Sequence, residues 1–122
     1  MSDKQLTPHF NLSEFRCPCC DDVVESSAQR LADALEPVRG DFGPVILSSG
    51  FRCRAQNWKV GGALFSQHLT GLAADIACFG DADRFALIKA LLKHGFTRLG
   101  IGARYVHADI GAASGPCIWT YY

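Results

Sequence analysis

The chain has 122 residues, of which 48 % are hydrophobic; this is enough for one compact domain over residues 1–122 and too little for a second core. Twelve basic residues balance twelve acidic ones without a long run of like charge, which excludes the basic footprint typical of nucleic-acid binding. No stretch reaches the roughly 18 to 20 apolar residues of a membrane span, and residues 1–10 lack the layout of a secretory signal, so we expect synthesis in the cytoplasm without a signal peptide.

The N-terminal segment 1–25 is predicted to anchor the domain and to be part of it. Residues 11–15 form a short helical turn in this prediction, with Asn11 as an early polar cap. A loop that contains Cys17, Cys19 and Cys20 follows directly.

Six cysteines are many for a chain without a signal. Cys17 and Cys20 have the two-residue spacing of a zinc knuckle or a redox pair, but a metal knuckle needs a second ligand pair, and the sequence holds no other close pair. The cysteines outside the cluster are scattered, at Cys53, Cys78 and Cys117. A structural metal, disulfides and buried thiols all stay open, and buried thiols that act as small hydrophobes are the default interpretation.

The first half of the chain contains one clear helix and one clear strand. Apolar residues recur at three- and four-residue intervals from Ser26 to Arg39, which predicts a helix, and Pro37 should end or bend its last turn. The β-branched run at 45–49 predicts a buried strand. Residues 50–67 lack periodicity, and we expect a functional loop there with one helical turn near Ala55.

The second half alternates strands with one helix. A strand is predicted over 72–77, and a helix that is capped by Asp81 and ends before Gly95 follows. Further strands are predicted over 98–100, 105–110 and 117–121, the last at a sheet edge. One face of the helix should be apolar, formed by Phe85, Ile88, Leu91 and Leu92.

Two histidines and one aspartate form a candidate metal site. His68 and Asp75 are separated by six residues with Gly71 between them, and His107 follows on a later strand. Two imidazoles and a carboxylate suit catalytic zinc, because three protein ligands leave the fourth tetrahedral position open. Three scattered residues alone would still favour ordinary surface or core histidines, so the local sequence around them decides the interpretation.

The ten residues from Ser66 to Asp75 read SQHLTGLAAD. They resemble the Ser-x-His-x-x-Gly-x-Ala-x-Asp signature of the zinc D-Ala-D-Ala carboxypeptidase group, the M15 peptidases. Residues 105–109 look like the strand that supplies the third ligand of that group, and residues 49–52 with Asn57 resemble its small single-domain phage or prophage branch. Similarity at residues 10–17 and 118–121 extends the resemblance over almost the whole chain.

The resemblance implies roles for several polar residues. Arg52 would stabilise the oxyanion that forms when water attacks a carbonyl; a locally paired surface arginine is the alternative. The candidate substrate-binding residues also have structural alternatives in the loop, and they are Ser66, Asn57 and Gln67.

The general base is the point at which this sequence departs from better-known members. Their catalytic carboxylate stands three residues before the last histidine ligand, where this chain has Arg104, which cannot accept a proton. Residues two apart on a strand share a face, so Tyr105, His107 and Asp109 should point the same way. Asp109 is therefore the candidate base, or else it orients His107, and Tyr105 could donate to the tetrahedral intermediate.

The implied function is a zinc hydrolase with one Zn²⁺ per chain. It would cut an amide in the peptidoglycan stem, as a D-Ala-D-Ala carboxypeptidase or a murein endopeptidase, after release from the cell or carriage on a phage particle as an endolysin. The alternative is a non-catalytic zinc-containing binding module, since the hedgehog signalling domain shares this fold. We expect a monomeric α+β domain with a small, mostly antiparallel sheet, the metal on one face and the helices on the other.

Overall fold

The computed structural model describes residues 3–63, 66–111 and 115–121. Within these ranges the chain forms a two-stranded N-terminal sheet and a five-stranded main sheet. The helices are α1 (Glu25–Phe42), α2 (Arg54–Lys59) and α3 (Asp81–Lys93). The strands are β1 (Gln5–Thr7), β2 (Phe10–Asn11), β3 (Leu47–Ser49), β4 (Ala73–Ala77), β5 (Arg98–Ile101), β6 (Tyr105–Asp109) and β7 (Cys117–Thr120).

The main sheet has the strand order β3-β4-β6-β5-β7. Its neighbours are antiparallel except β5 and β7, which run parallel. The expected α+β class with a mostly antiparallel sheet is confirmed, and the last strand lies at the sheet edge as predicted.

The two faces of the main sheet have different chemistry. Ala74 and Ile76 of β4, like Val106 of β6, are fully buried in a core that also contains the inner faces of α1 and α3. Side chains alternate along a strand, so Asp75 and His107 point to the opposite face. The sheet thus presents these polar residues away from α1 and α3.

Helix α1 runs three residues beyond the predicted end, and Pro37 lies inside it without ending it. A proline within a helix costs about 3 kcal/mol. Leu35 and Val38 on either side of the proline are fully buried, and burial of each contributes roughly 1.5–3 kcal/mol. Packing of this face against the core therefore offsets the missing hydrogen bond.

The predicted apolar face of α3 is wrong in part. Phe85 is 70 % exposed and Leu92 is 48 % exposed. The buried side chains are those of Leu87, Ala90 and Leu91, which have the same three- and four-residue spacing on a rotated face. Apolar residues occur on both sides of this helix, so periodicity alone did not identify the packed side. Gly80 precedes the helix as its cap, in place of the predicted Asp81.

The N-terminal segment packs along α1. The predicted helical turn is a 3₁₀ turn at Leu12–Phe15, where the Asn11 N–H donates to Glu14 Oε2 over 2.7 Å. Phe10 and Phe15 are buried in the core. The short strands β1 and β2 were not predicted, because two or three residues carry no measurable periodicity. None of the helices in the described ranges is long and apolar enough to cross a membrane.

Candidate metal centre

Three buried side chains converge on the polar face of the main sheet. His68 Nε2 lies 3.2 Å from Asp75 Oδ1 and 3.2 Å from His107 Nδ1. The third side, from His107 Nδ1 to Asp75 Oδ1, is also 3.2 Å. These three atoms form a nearly equilateral triangle.

Local structure explains this convergence. Asp75 and His107 are direct cross-strand partners on β4 and β6, so their side chains emerge side by side on one face. His68 lies in a 3₁₀ turn at Gln67–Thr70, whose first turn is capped by Ser66 Oγ accepting from the His68 N–H over 3.1 Å. The turn ends at Gly71, whose φ of 77° is left-handed and readily adopted by glycine.

A second contact fixes the orientation of each imidazole. His68 Nδ1–H donates to the Gly50 carbonyl oxygen over 2.6 Å, and His107 Nε2–H donates to Asp109 Oδ2 over 2.8 Å. In the tautomer with the proton on this outer nitrogen, each histidine has the lone pair of its other nitrogen at the centre of the triangle. This is the protonation state that a metal ligand requires.

The triangle fits zinc. Zn–N and Zn–O bonds of about 2.0–2.1 Å in a tetrahedron place neighbouring ligand atoms about 3.3 Å apart, close to the 3.2 Å observed on all three sides. The donor set of two imidazoles and one carboxylate, with one tetrahedral position left over, is that of a catalytic site.

The electrostatics of the centre favour a positive charge. Burial alone would raise the pKa of Asp75, but its contacts with His107 and His68, whose imidazoles donate to it and carry positive charge when protonated, hold it far below its usual range. Burial likewise opposes protonation of His107, yet hydrogen bonds to Asp109 and Asp75 raise its pKa. Two ionised carboxylates thus flank His107, and their negative charge favours a cation at the triangle.

The triangle lies at the base of a cleft of about 540 Å³. The cleft runs beside the loop after Gly50, where the sequence predicted a functional segment. Around the triangle, the lining includes the polar and aromatic residues Ser48, Ser49, Arg52, Gln56, Ser66, Gln67, Arg98, Tyr105, Asp109, Trp119 and Tyr121.

A family model described as Peptidase M15 matches residues 8–109. The chain belongs to the Peptidase M15 family. This membership confirms the resemblance found in the sequence, and the His-Asp-His cluster agrees with the zinc cofactor predicted from that resemblance. A relative from Streptomyces albus G, named zinc D-Ala-D-Ala carboxypeptidase, is 39 % identical over 66 residues. These residues make up 54 % of this chain but 25 % of the relative, so the match spans about a quarter of the relative's length.

Arg52 of this M15 chain contacts the metal triangle through its aspartate. Its Nη2–H donates to Asp75 Oδ2 over 3.2 Å, its Nε–H to Ser49 Oγ over 3.1 Å, and its Nη1–H to Asn57 Oδ1 over 3.1 Å. A guanidinium has five N–H groups, so three bonds hold it in place while it still lines the cleft.

Asn57 lies behind Arg52 and is not among the residues that line the cleft. Its side chain is buried, accepts from Arg52 and donates from Nδ2 to the Ala63 carbonyl oxygen over 2.9 Å. This geometry gives Asn57 a contact with Arg52, and its contact with substrate stays a prediction. Ser66 and Gln67 do line the cleft.

Asp109 is fully engaged on the far side of His107. Oδ2 accepts from His107, and Oδ1 accepts from Arg98 Nε over 2.8 Å and from the Gly111 N–H over 3.2 Å. Burial would raise the pKa of Asp109, but the hydrogen bonds from His107 and Arg98 lower it. The sequence left two roles for Asp109, a general base or a residue that orients His107. A buried carboxylate whose two oxygens both accept hydrogen bonds, and whose pKa is lowered, suits the orienting role.

The cleft residues that sequence reasoning missed include Arg98, Trp119 and Tyr121. Arg98 is the cross-strand partner of Asp109 and its guanidinium lies 5.4 Å from the centroid of the Trp119 ring. The Trp119 ring is 5.2 Å from that of His107. The alternation of Trp119 and Tyr121 on the edge strand was the available signal, since residues two apart share a face.

Proposed function

We propose that this chain is a zinc-dependent peptidase whose ion is held by His68, Asp75 and His107. The observation that carries the proposal is the triangle of ligand atoms at the base of an open cleft. Zinc in such a site supplies Lewis acidity, which activates water and polarises the carbonyl group of a peptide bond.

The protein's own residues would prepare this chemistry. Gly50 and Asp109 hold the protons of the two histidines on their outer nitrogens. Arg52 balances the charge of Asp75 and turns its remaining N–H groups toward the cleft, where they could stabilise a developing oxyanion.

Tyr105 is proposed as a further hydrogen-bond donor in the cleft. Burial raises the pKa of its phenol, and the negative charge of Asp75 raises it further. The hydroxyl therefore keeps its proton at neutral pH and can donate it to an oxygen of the substrate. Ser66 and Gln67 are proposed to contact the substrate main chain at the cleft wall.

The proposed substrate is the peptide part of bacterial cell wall. Support comes from the family and from the relative named zinc D-Ala-D-Ala carboxypeptidase. The chain would either remove a terminal D-alanine or cut within the stem peptide, and an endolysin carried by a phage would use the same chemistry.

Digestion of purified peptidoglycan, followed by mass spectrometry of the products, tests this function. We expect zinc-dependent release of fragments by the wild type and none by His68→Ala, which should also lose the zinc of this site. Free D-alanine would identify a carboxypeptidase, whereas shortened stems would identify an endopeptidase. Absence of any cleavage by a protein with zinc at the triangle would exclude the peptidase.

Absence of cleavage would favour a zinc-containing binding module, and one observation supports this alternative. Among the described residues that line the cleft, the carboxylates are Asp75 and Asp109, and both are bound by neighbours. Arg104, at the position where other members carry a carboxylate, is exposed and outside the cleft lining. Binding to intact peptidoglycan without cleavage would identify such a module.

A further inference from the structure

Four cysteines meet next to Pro18 and Arg52, two residues that line the cleft. The sequence has no second close pair to complete a metal knuckle with Cys17 and Cys20, but the fold brings Cys53 to the three clustered cysteines. The sulfur atoms of Cys17, Cys19, Cys20 and Cys53 all lie within 4.8 Å of one another.

The spacing of these sulfur atoms is that of ligands around one ion. Cys17 Sγ lies 3.5 Å from Cys19 Sγ, which lies 3.3 Å from Cys53 Sγ. A tetrahedral zinc ion with Zn–S bonds of about 2.3 Å separates its sulfur ligands by about 3.8 Å. The four thiols are unpaired by disulfides, and a disulfide would join only two of them.

The backbone around the thiols forms a tight, closed loop. The Cys17 N–H donates to the Asp22 carbonyl over 2.8 Å, and the Asp21 N–H donates back to the Cys17 carbonyl over 2.8 Å. Asp21 adopts a left-handed φ of 61° in this turn. The turn projects three thiols to one side within four residues, which is how a short knuckle supplies several ligands to one metal.

Cys53 belongs to a different part of the chain, where it is the N-cap of α2. Its Sγ accepts from the Gln56 N–H over 3.4 Å, and its own N–H points at Cys17 Sγ over 3.5 Å. Both contacts direct N–H groups at sulfur, the arrangement that stabilises thiolates over thiols. Arg16 donates to the Asp21 carbonyl over 3.0 Å and brings a positive charge to the turn.

We propose that Cys17, Cys19, Cys20 and Cys53 form a second, structural zinc site, separate from the His68, Asp75 and His107 centre. Four thiolates in a tetrahedral arrangement select zinc or iron over harder cations, and a site with four protein ligands leaves no position open for chemistry. Cys17 is buried while Cys19 and Cys20 are exposed, so the ion would bind near the surface.

The site would join the N-terminal segment to the wall of the cleft. The Phe51 N–H already donates to the Phe15 carbonyl over 2.9 Å, and a Cβ on Gly50 would lie 2.9 Å from Phe15 Cα. Pro18 lines the cleft beside Arg52. An ion between the cysteine turn and Cys53 would therefore hold the Arg52 segment at a fixed distance from the metal triangle.

Metal analysis of full-length protein, expressed with added zinc and purified without oxygen, tests the proposal. We expect about two zinc ions per chain in the wild type and about one in both Cys53→Ala and His68→Ala. X-ray absorption should show a sulfur shell at about 2.3 Å in the wild type and in His68→Ala. Cys117→Ser, which changes an exposed cysteine outside the cluster, should retain both ions.

Two further measurements keep the result decisive. If Cys53→Ala does not fold, Cys20→Ser removes one exposed sulfur and should make a chelator remove zinc more easily. The X-ray absorption spectrum of the wild type tests for sulfur ligands without the need for any variant. About one zinc per chain with no sulfur shell would overturn the proposal. A disulfide within the cluster of the freshly purified protein would overturn it as well. Loss of zinc from the His68 site alone would leave the sulfur shell unchanged. Failure of the peptidase proposal can therefore be told apart from failure of the cysteine-site proposal.

Discussion

At the scale of single residues, the metal triangle depends on side chains that do not themselves belong to it. Asp109 accepts from His107, and Arg52 donates to Asp75. Removal of such a partner leaves the donor atoms present but less well oriented, and it typically weakens metal affinity about 10- to 100-fold.

Asp109→Asn tests whether this residue orients or acts as a base. We expect zinc affinity to fall about 10- to 100-fold, because the histidine loses a charged acceptor, and competition with a chelator measures this. Asp81→Asn is the control, since Asp81 is fully exposed and pairs with Arg84. Unchanged zinc affinity with abolished peptidase activity would instead make Asp109 the base.

Gly62→Ala tests the position of Arg52. A Cβ at Gly62 would overlap Asn57 Oδ1 and approach Arg52 Nη1 to 2.8 Å, so the guanidinium must move. We expect peptidase activity on peptidoglycan fragments to fall at least about tenfold, the effect of roughly 1.4 kcal/mol in the transition state, with zinc content unchanged.

The matched control is Gly40→Ala in α1, where an added Cβ meets nothing within 4 Å. This substitution should leave activity intact and raise the free energy of unfolding by about 0.5–1 kcal/mol. Equal activity of Gly62→Ala and Gly40→Ala would show that activity does not depend on the observed position of Arg52.

At the scale of elements, one carboxylate on α1 holds the N-terminal strands. Glu36 accepts from the His9 backbone N–H over 2.8 Å and from His9 Nδ1–H over 2.7 Å. Lys4 pairs with Glu25 of the same helix over 2.9 Å, but both of those side chains are more than half exposed. His9 directly precedes Phe10, which is buried in the core, so the Glu36 contact and the packing of Phe10 fix the same part of the segment.

Glu36→Gln should lower the free energy of unfolding by about 1 kcal/mol at neutral pH, measured by urea denaturation. Burial would raise the pKa of Glu36, but the hydrogen bonds from His9 lower it. Because the folded pKa is lowered, this stabilisation is fully present above the ordinary value of 4.5 and is lost as the pH falls through the folded value. The difference between variant and wild type should therefore shrink in acid.

Glu25→Gln is the control for this prediction. An exposed ion pair contributes at most a few tenths of a kcal/mol, so this variant should unfold almost like the wild type. A larger loss in Glu25→Gln than in Glu36→Gln would mean that the Glu36 contact does not hold the segment.

At the scale of the whole molecule, the metal joins the 3₁₀ turn at Gln67–Thr70 to two central strands. A ligand that binds the folded state alone stabilises it by about 2.7 kcal/mol at 100 times its dissociation constant. For a chain of this size, removal of zinc by a chelator should lower the melting temperature by on the order of 10 °C, as scanning calorimetry would show. His68→Ala should respond less to the chelator, and equal melting of treated and untreated wild type would contradict a resident metal.

The sequence by itself determined the elements, and indicated the candidate metal ligands, that depend on the local order of residues. The segment from Ser66 to Asp75 carries a capped turn, a left-handed glycine and the start of a strand, all within ten residues. The strand period placed His107 and Asp109 on one face, and helical spacing identified the buried side of α1. These features depend on residues close together in the chain, because each residue type restricts the local backbone geometry.

Only the tertiary structure decided which distant groups meet. Arg98 donates to Oδ1 of Asp109, and Asn57 packs behind Arg52 away from the cleft. Cys53 joins a cluster that lies more than thirty residues earlier in the chain. The buried side of α3 likewise depends on what packs against it, because both sides carry apolar residues. Such contacts result from the packing of whole elements, and no local pattern of residues encodes them.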